Sequence, residues 1–81
     1  MNYVYVLKME NKGLYIGSTI DLRKRLLQHK NAGKKFVLVY YEAYLSEQDA
    51  RRREKMLKKF GSSYGHLKKR INNSLKNYEI Q

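Results

Sequence analysis

The fold is decided by one stretch, Gly13-Leu-Tyr-Ile-Gly-Ser-Thr-Ile-Asp-Leu-Arg-Lys-Arg-Leu-Leu-Gln-His29, in which strand-forming residues lead directly into a basic helix. Residues 14–16 are bulky and favour an extended strand. Gly17 follows them and lacks a Cβ, so it is expected to permit a tight turn. The stretch therefore predicts a strand, a turn and a helix in immediate succession.

The predicted helix carries its own start and stop signals. Ser18 or Thr19 is expected to cap its N-terminus, and Asp21 is expected in the first turn, where the positive end of the helix dipole favours an acid. Gly33 is expected to end the helix because glycine is common just beyond a helix C-terminus. These signals predict a helix over about residues 19–32.

Two chemically useful side chains lie on this helix. Arg25 and His29 are four residues apart and therefore share one helix face. Leu22 and Leu26 mark the side that packs inward, so Arg25 and His29 are expected along its margin. Together with Tyr15 on the preceding strand, they predict that a phenol, a guanidinium and an imidazole approach one another.

The segments around this stretch predict two further strands and a second helix. Residues 3–9 contain no strand breaker and are predicted to form the central strand. Residues 14–17 return as the second strand of a hairpin, and residues 36–44 form the third strand. Residues 46–49 have the form of a capping box, which opens a second helix that continues to about Phe60.

A third helix is predicted after residues 61–63, which are expected to break the second helix and cap the third. Its inward stripe is formed by apolar residues spaced by three or four, namely Tyr64, Leu67, Ile71, Leu75 and Tyr78. The predicted fold class is α+β, with a three-stranded, mainly antiparallel sheet flanked by three helices in the order β-β-α-β-α-α. Residues 1–78 are expected to form a single domain, and residues 79–81 a loose tail.

The charge of the chain indicates a polyanionic partner. Eighteen Lys and Arg against seven Asp and Glu give a net charge of +11 over 81 residues. Such an excess opposes compaction by self-repulsion unless an anionic partner offsets it. The eight tyrosines add hydroxyl groups that can reach phosphates. Nucleic acid is favoured over an anionic membrane surface, because the helices need their bulky apolar residues for the core.

Composition also excludes several classes of protein. The chain has no cysteine, which excludes a disulfide framework and a thiolate zinc site. Its apolar runs are too short for a membrane span, and its N-terminus lacks the pattern of a signal peptide. A reducing cytoplasm is therefore the expected location, without membrane association.

Motifs spread over about the first sixty residues resemble those of the GIY-YIG nuclease superfamily. They are Tyr3-Val-Tyr5, Tyr15-Ile-Gly17, Arg25 within Asp-Leu-Arg-Lys-Arg-Leu, and Glu54 in a later helix. Tyr15 follows Tyr5 by ten residues, and Arg25 follows Tyr15 by ten. The chain is similar to small, stand-alone URI-domain proteins described as predicted endonucleases. It is also similar to the N-terminal module of the excinuclease that makes the incisions in nucleotide excision repair.

The chain departs from the family pattern in identifiable places. Tyr3 occupies the position where the first motif usually has a glycine. The family tends to have an asparagine after the metal-binding helix, and Asn72, Asn73 and Asn77 are candidates for it. No DNA-targeting domain is appended, so site selection would come from DNA shape or from a partner protein, or would be absent.

The resemblance implies a site that hydrolyses a phosphodiester bond with an activated water and with neutralisation of charge on the phosphoryl oxygens. Tyr15 would act as the general base or position the water, with Tyr5 beside it. Phenols ordinarily have a pKa near ~10, so a base role requires nearby cations that lower it. Arg25 would hold the scissile phosphate, and His29 would donate to the phosphate or the leaving group. Glu54 would bind one divalent ion, Mg²⁺ or Mn²⁺.

Each of these residues also has a purely structural interpretation. The two tyrosines fit ordinary sheet aromatics, and His29 fits a packed or solvated side chain. Gly17 either gives the backbone clearance near the substrate or is a turn glycine. Glu54 is expected at the inner edge of its helix, yet a surface ion pair with Lys58 or Arg51 would also explain it.

The remaining basic residues are expected to track the phosphates of a nucleic acid, with a steep salt dependence of binding. The residues predicted to contact nucleic acid are Gly17, Arg25, Lys34, Lys35, Arg51 and Lys58. The sequence favours a metal-dependent DNA endonuclease of low or structure-based specificity, serving DNA repair or recombination, with RNA as an alternative substrate. A non-catalytic nucleic-acid-binding protein and a nuclease module that depends on a partner protein remain alternatives, and the oligomeric state is left open.

Overall fold

The computed structural model describes residues 1–10 and 13–77. Its elements are β1 Asn2–Met9, β2 Gly13–Thr19, α1 Leu22–Asn31, β3 Phe36–Tyr44, α2 Glu47–Lys59, α3 Gly61–Arg70 and α4 Asn72–Asn77. The predicted α+β class and the order of the elements are confirmed, except that the predicted third helix forms two segments separated at Ile71. No helix within these residues is long and apolar enough to cross a membrane.

The three strands form one antiparallel sheet in the order β2-β1-β3. β1 is central, as predicted for a segment without breakers. Tyr3 pairs with Thr19 and Tyr5 pairs with Gly17, which fixes the register between β1 and β2. β2 is an edge strand, so its outer backbone groups have no partner strand in this sheet.

The two faces of the sheet differ in composition, because successive residues of a strand point to opposite faces. We call one the aliphatic face; its buried cluster, completed by the helices, consists of Val4, Val6, Ile16, Ala50, Leu57, Leu67 and Ile71. We call the other the aromatic face. It carries Tyr5 and Tyr15, and His29 of α1 packs on both of these rings. Helices α2 and α3 thus cover one face and α1 covers part of the other.

The junction between β2 and α1 differs from the prediction. β2 continues through Gly17 because Thr19 is still paired with β1, so Gly17 is a strand residue and the predicted turn at this position is wrong. Asp21 is the N-cap of α1, and its carboxylate accepts a hydrogen bond from the Lys24 N–H at 3.0 Å. Ser18 and Thr19 therefore do not cap the helix, although Thr19 Oγ1 accepts from the Asp21 N–H at 3.1 Å.

The other predicted helix boundaries agree with the structure except at the start of α3. Gly33 follows α1 with a φ of +78°, as expected for a terminating glycine. Ser46 caps α2 and accepts a hydrogen bond from the Asp49 N–H at 3.3 Å, which confirms the predicted cap. The predicted break over residues 61–63 is wrong. Phe60 alone separates α2 from α3, and no side chain caps α3 by a hydrogen bond.

The predicted inward stripe of the third helix is confirmed for the residues that the structure describes. Leu67 and Ile71 are buried, and Tyr64 and Leu75 pack against the buried cluster from partly buried positions. The stripe thus continues from α3 into α4 across the turn at Ile71. Tyr78 and the predicted tail of residues 79–81 lie outside the described residues.

Candidate active site

Tyr5 and Gly17 fit together on the aromatic face. Tyr5 is fully buried, and its ring lies over the backbone of Gly17, its partner on β2. A Cβ at position 17 would lie 2.5 Å from Tyr5 Oη and 3.1 Å from Tyr15 Cε1, closer than these atoms can approach without a shift. Glycine is therefore required at this position by the protein's own phenol rings.

His29 contacts both phenols of the aromatic face. Its ring centroid lies 6.1 Å from that of Tyr5 and 5.3 Å from that of Tyr15, and its Nε2 lies 3.2 Å from Tyr5 Oη. Burial, together with the charges of Lys34 and Arg25, lowers the pKa of His29, so the imidazole is neutral at pH 7. With the proton on Nδ1, Nε2 accepts a hydrogen bond from the Tyr5 hydroxyl. Burial raises the pKa of Tyr5, which keeps this hydroxyl protonated.

Tyr15 is the phenol of this cluster that reaches solvent. It is 39% exposed, whereas Tyr5 is completely buried. Lys34 Nζ lies 6.0 Å from the centre of the Tyr15 ring. Tyr15, Lys34 and Lys35 line a cavity of about 490 Å³ together with residues from the adjoining ends of β1 and β2. An anion that approaches the aromatic face would therefore meet Tyr15 and two ammonium groups.

Arg25 is half-buried on α1 and lies close to three other candidate residues. Burial is the largest influence on the pKa values of Tyr5, His29 and Glu54, and the charge of Arg25 acts on all three, lowering each pKa. Because a Coulomb interaction weakens with distance and with screening, a guanidinium that affects all three groups lies near each of them.

Glu54 lies on the aliphatic face, across β2 from the phenols. Its Oε1 accepts a hydrogen bond from Ser18 Oγ at 2.6 Å, and its Oε2 accepts one from Lys58 Nζ at 2.8 Å. Burial raises the pKa of Glu54, but the hydrogen bonds from Lys58 and Ser18 outweigh burial and hold that pKa below its ordinary value. The carboxylate faces the sheet, and the pair with Lys58 that the sequence left as an alternative is present as well.

The predicted approach of all these groups to one spot is present only in part. The three rings contact one another, whereas no hydrogen bond or ion pair within residues 1–10 and 13–77 joins them to Glu54. The reason is the alternation of β2, which directs Tyr15 to the aromatic face and Ser18 to the aliphatic face. Because β2 is an edge strand, the two groups of residues border the same open edge of the sheet.

Glu54 has the donor chemistry that suits a divalent ion. Its lowered pKa keeps it ionised at neutral pH, and Mg²⁺ is commonly held by one or two carboxylates plus water and phosphate oxygens. Lys58 engages Oε2, so an ion would take the place of the Lys58 ammonium. No cluster of three or more His, Cys, Asp and Glu that could hold a metal occurs in the described part of the chain.

The other residues that the sequence singled out have more ordinary surroundings. The side chain of Arg51 is 75% exposed, and its Nη2 lies 2.7 Å from Glu47 Oε1, one turn earlier on α2. Asn72 and Asn73 begin α4 and are exposed. The side chain of Asn77 lies outside the described part of the structure.

The contact of Ser18 with Glu54 is one that sequence reasoning missed. Ser18 was predicted as a helix cap, and instead it orients the Glu54 carboxylate. Its place in the strand carried the signal, since a residue directly after Gly17 on a continuing strand must face away from Tyr15. The signal was hidden by the incorrect assumption of a turn at Gly17.

These observations define a class of protein. A small, strongly basic α+β domain carries a phenol–imidazole–guanidinium cluster on one side of an edge strand and an ionised carboxylate on the other. These are groups that phosphodiester hydrolysis can use. The family model of the GIY-YIG catalytic domain matches residues 1–72. The chain therefore belongs to the GIY-YIG family, a family of nuclease domains, and the resemblance seen in the motifs is confirmed.

Relatives of similar size support this assignment. A UPF0213 protein of Clostridium perfringens (strain 13 / Type A) is 40% identical over 67 residues, which cover 73% of this chain and 72% of the relative. UPF0213 proteins of Streptococcus pyogenes serotype M5 (strain Manfredo) and serotype M3 (strain SSI-1) are each 44% identical over 66 residues, covering 70% of this chain and 71% of each relative. No solved structure gave a significant match.

Proposed function

We propose that this protein is a metal-dependent DNA endonuclease that hydrolyses phosphodiester bonds at the open edge of β2. The observation that carries the proposal is the position of Arg25, whose charge acts on Tyr5 and His29 on the aromatic face and also on Glu54 beyond β2. A phosphate at this edge would meet the guanidinium between an exposed phenol and an ionised carboxylate.

The buried and exposed members of the cluster have different proposed roles. Tyr15, which is exposed, positions the attacking water or accepts its proton. Tyr5 and His29 are buried, and their mutual hydrogen bond fixes the wall against which Tyr15 packs. They are therefore positioning residues, and the direct contact of His29 with the phosphate expected from the sequence is not part of this proposal. Arg25 donates to the phosphoryl oxygens as negative charge builds on them.

Glu54 is the residue that would hold the single divalent ion, Mg²⁺ or Mn²⁺. When bound, such an ion neutralises charge on the phosphoryl oxygens and assists the departing oxygen. Ser18 fixes one oxygen of the carboxylate, as groups behind a metal ligand commonly do. Lys58 keeps the carboxylate partnered in the protein alone and must give way to the ion.

DNA is the proposed substrate, cleaved with low or structure-based specificity in repair or recombination. The net charge of +11 favours a nucleic acid. Lys34 and Lys35 border the cavity beside Tyr15, where they would contact the backbone next to the scissile phosphate. Such phosphate contacts give affinity without base specificity.

Cleavage of supercoiled plasmid in the presence of Mg²⁺ or Mn²⁺ tests the proposal. The parent protein should nick the plasmid, and the variants Tyr15→Phe, Arg25→Gln and Glu54→Gln should lose nicking. Tyr15→Phe and Glu54→Gln should still bind DNA as judged by fluorescence anisotropy. Arg23→Gln is the matched control, because it removes one positive charge from an exposed position of the same helix.

A non-catalytic DNA-binding protein is the second candidate, and the ion pair between Lys58 and Glu54 favours it. A lysine that permanently occupied the carboxylate would prevent metal binding. Tight DNA binding without cleavage, with either metal and on any DNA structure, would select this candidate. Cleavage that appears only on forks or flaps, or only after a cell extract is added, would select a module that depends on DNA structure or on a partner protein.

A further inference from the structure

A second polar cluster lies on the aliphatic face at the opposite edge of the sheet. Glu42 of β3 accepts hydrogen bonds from the hydroxyls of Tyr40, at 2.7 Å, and Tyr44. Arg53 of α2 donates from its Nε to both oxygens of Glu42, at 3.0 and 3.1 Å. Burial and the hydrogen bond to Glu42 raise the pKa of Tyr44 to about 12, so this hydroxyl remains a donor throughout the ordinary pH range.

This cluster holds Arg53 in one orientation and leaves its outer edge free. The side chain of Arg53 is 25% exposed and that of Glu42 is 15% exposed, so the pair is largely shielded. Only Nε of the guanidinium contacts Glu42, and the two terminal nitrogens form no hydrogen bond with other residues that the structure describes. Four hydrogen-bonding protons on a fixed planar group are therefore available.

A small cavity adjoins Arg53. It has a volume of about 190 Å³ and is lined by Arg53, Ser63, His66, Leu67 and Arg70, and we call it the β3 pocket. Arg70 also lies close to the cluster, because burial and Glu42 raise the pKa of Tyr40 while Arg70 lowers it. The lining thus combines two guanidinium groups, a hydroxyl and an imidazole drawn from α2 and α3.

The charge balance of the β3 pocket favours an anion. Glu42 is the acid behind the pocket, and each of its two oxygens already accepts hydrogen bonds from a tyrosine and from Arg53. Arg53 and Arg70 together carry two positive charges against this single negative charge. A planar guanidinium with both terminal nitrogens free matches two oxygens of a phosphate better than a lysine would.

We propose that the β3 pocket is a phosphate-binding site, distinct from the site at the β2 edge. Arg53 and Glu54 are neighbours on α2, yet they contact opposite edges of the sheet, through Glu42 of β3 and Ser18 of β2. The phosphate in this pocket is therefore a different one from the phosphate that is cleaved. Its assignment to a DNA backbone phosphate or to a terminal phosphate monoester rests on the proposed function, whereas binding of the anion does not.

Titration of the protein with inorganic phosphate tests the site without DNA or metal. At constant ionic strength, with chloride as the reference anion, phosphate should shift the NMR signals of the Arg53 Nε–H and the His66 ring in a saturable manner. Arg70→Gln should weaken this binding about tenfold, as expected for loss of a charged hydrogen-bond donor. Arg52→Gln is the matched control, because the Arg52 side chain is 71% exposed on the same helix and lies beside Asp49. Absence of a saturable shift, or equal weakening by both variants, would overturn the proposal.

DNA oligonucleotides of one length, with a 5′-phosphate or a 5′-hydroxyl, distinguish the two sources of the phosphate. The measurement is made in EDTA, so the outcome does not depend on whether the protein cleaves DNA. If the pocket takes a backbone phosphate, both oligonucleotides bind equally and Arg70→Gln reduces the salt slope for both by about 0.9. If it takes a terminal phosphate, the 5′-phosphorylated strand binds more tightly, and Arg70→Gln removes that preference. Unchanged DNA binding in Arg70→Gln, with neither effect, would contradict a role in DNA recognition.

Discussion

The two faces of the sheet use the same central strand for different purposes. On the aliphatic face, Val4 and Val6 pack with aliphatic side chains from α2 and α3. On the aromatic face, Tyr5, between them in sequence, packs with His29 and Tyr15, where hydroxyl and imidazole groups lie close to Arg25. One strand therefore contributes alternately to the apolar core and to the candidate active site. Substitutions on the two faces should accordingly affect different properties.

The largest effect is expected from Leu67→Ala on the aliphatic face. Leu67 is 2% exposed, so its truncation leaves a cavity in a small core. We expect a loss of about 2–5 kcal/mol in the free energy of unfolding, measured by urea denaturation. Tyr15→Phe should change that free energy by less than about 0.5 kcal/mol, because it removes one exposed hydroxyl. Similar losses in the two variants would show that the faces do not differ in this way.

Arg25→Gln is expected to have the largest effect on catalysis. Removal of a donor aimed at developing charge should lower the rate of DNA cleavage at saturating substrate by about 10²–10³-fold. Arg23→Gln on the same helix should reduce the rate by less than tenfold. Single-turnover cleavage of a labelled duplex measures both variants, and equal rates would remove Arg25 from the site.

Ser18→Ala tests the link between β2 and the carboxylate. Without the 2.6 Å hydrogen bond, the carboxylate of Glu54 is less well oriented, and Mn²⁺ affinity should fall about 10–100-fold. Electron paramagnetic resonance of free Mn²⁺ gives the affinity, and the exposed Ser62 provides the control Ser62→Ala. Unchanged affinity in Ser18→Ala would mean that this hydrogen bond does not prepare the metal ligand.

Gly17→Ala tests the packing of the aromatic face. The added Cβ would meet the Tyr5 hydroxyl at 2.5 Å, so we expect a loss of about 1–3 kcal/mol in the free energy of unfolding. Displacement of Tyr5 should also change the NMR signals of the His29 ring. Gly65→Ala is the control, because nothing lies within 4 Å of the added Cβ and alanine favours a helix. A tolerated Gly17→Ala, with the His29 signals unchanged, would contradict the described packing.

The smallest effect is expected from pH and concerns His29. Its folded-state pKa lies below the ordinary value of about 6.5, because burial and two nearby cations disfavour the charged ring. The unfolded chain therefore binds more protons below this value. The resulting contribution to stability is fully present above about pH 6.5 and is lost as the pH falls through the folded-state pKa. The Tm should fall between pH 7.5 and pH 5 by more in the parent than in His29→Gln, while His66→Gln should behave like the parent.

Local patterns in the sequence predicted most of the fold but not which side of the sheet each site residue occupies. Residues 3–9 and 36–44 are strongly β-prone, and Ser46 is a clear cap, so these elements were predicted correctly. Gly17 was misread, because the pairing of Thr19 with β1 extends the strand beyond it. Helix spacing placed Glu54 on an inward edge, but the spacing within α2 carries no information about which strand that edge covers.

The interactions of Glu42 and Arg53 were not predicted at all. They join β3 to α2 over eleven residues, and their geometry depends on how the helix docks on the sheet. A usable signal was present, since an acid surrounded by tyrosines within a β-prone segment requires a partner when half-buried. Its partner could be any of several arginines on α2, and only the docked helix identifies Arg53.

The most direct test of the account is the anomalous scattering of Mn²⁺ in crystals of the Tyr15→Phe variant bound to a DNA oligonucleotide. The account predicts one Mn²⁺ on Glu54, with the Lys58 ammonium displaced and one DNA phosphate contacting both the ion and Arg25 at the edge of β2. A Mn²⁺ ion located away from Glu54, or a Glu54 still paired with Lys58 while the phosphate lies elsewhere, would contradict it.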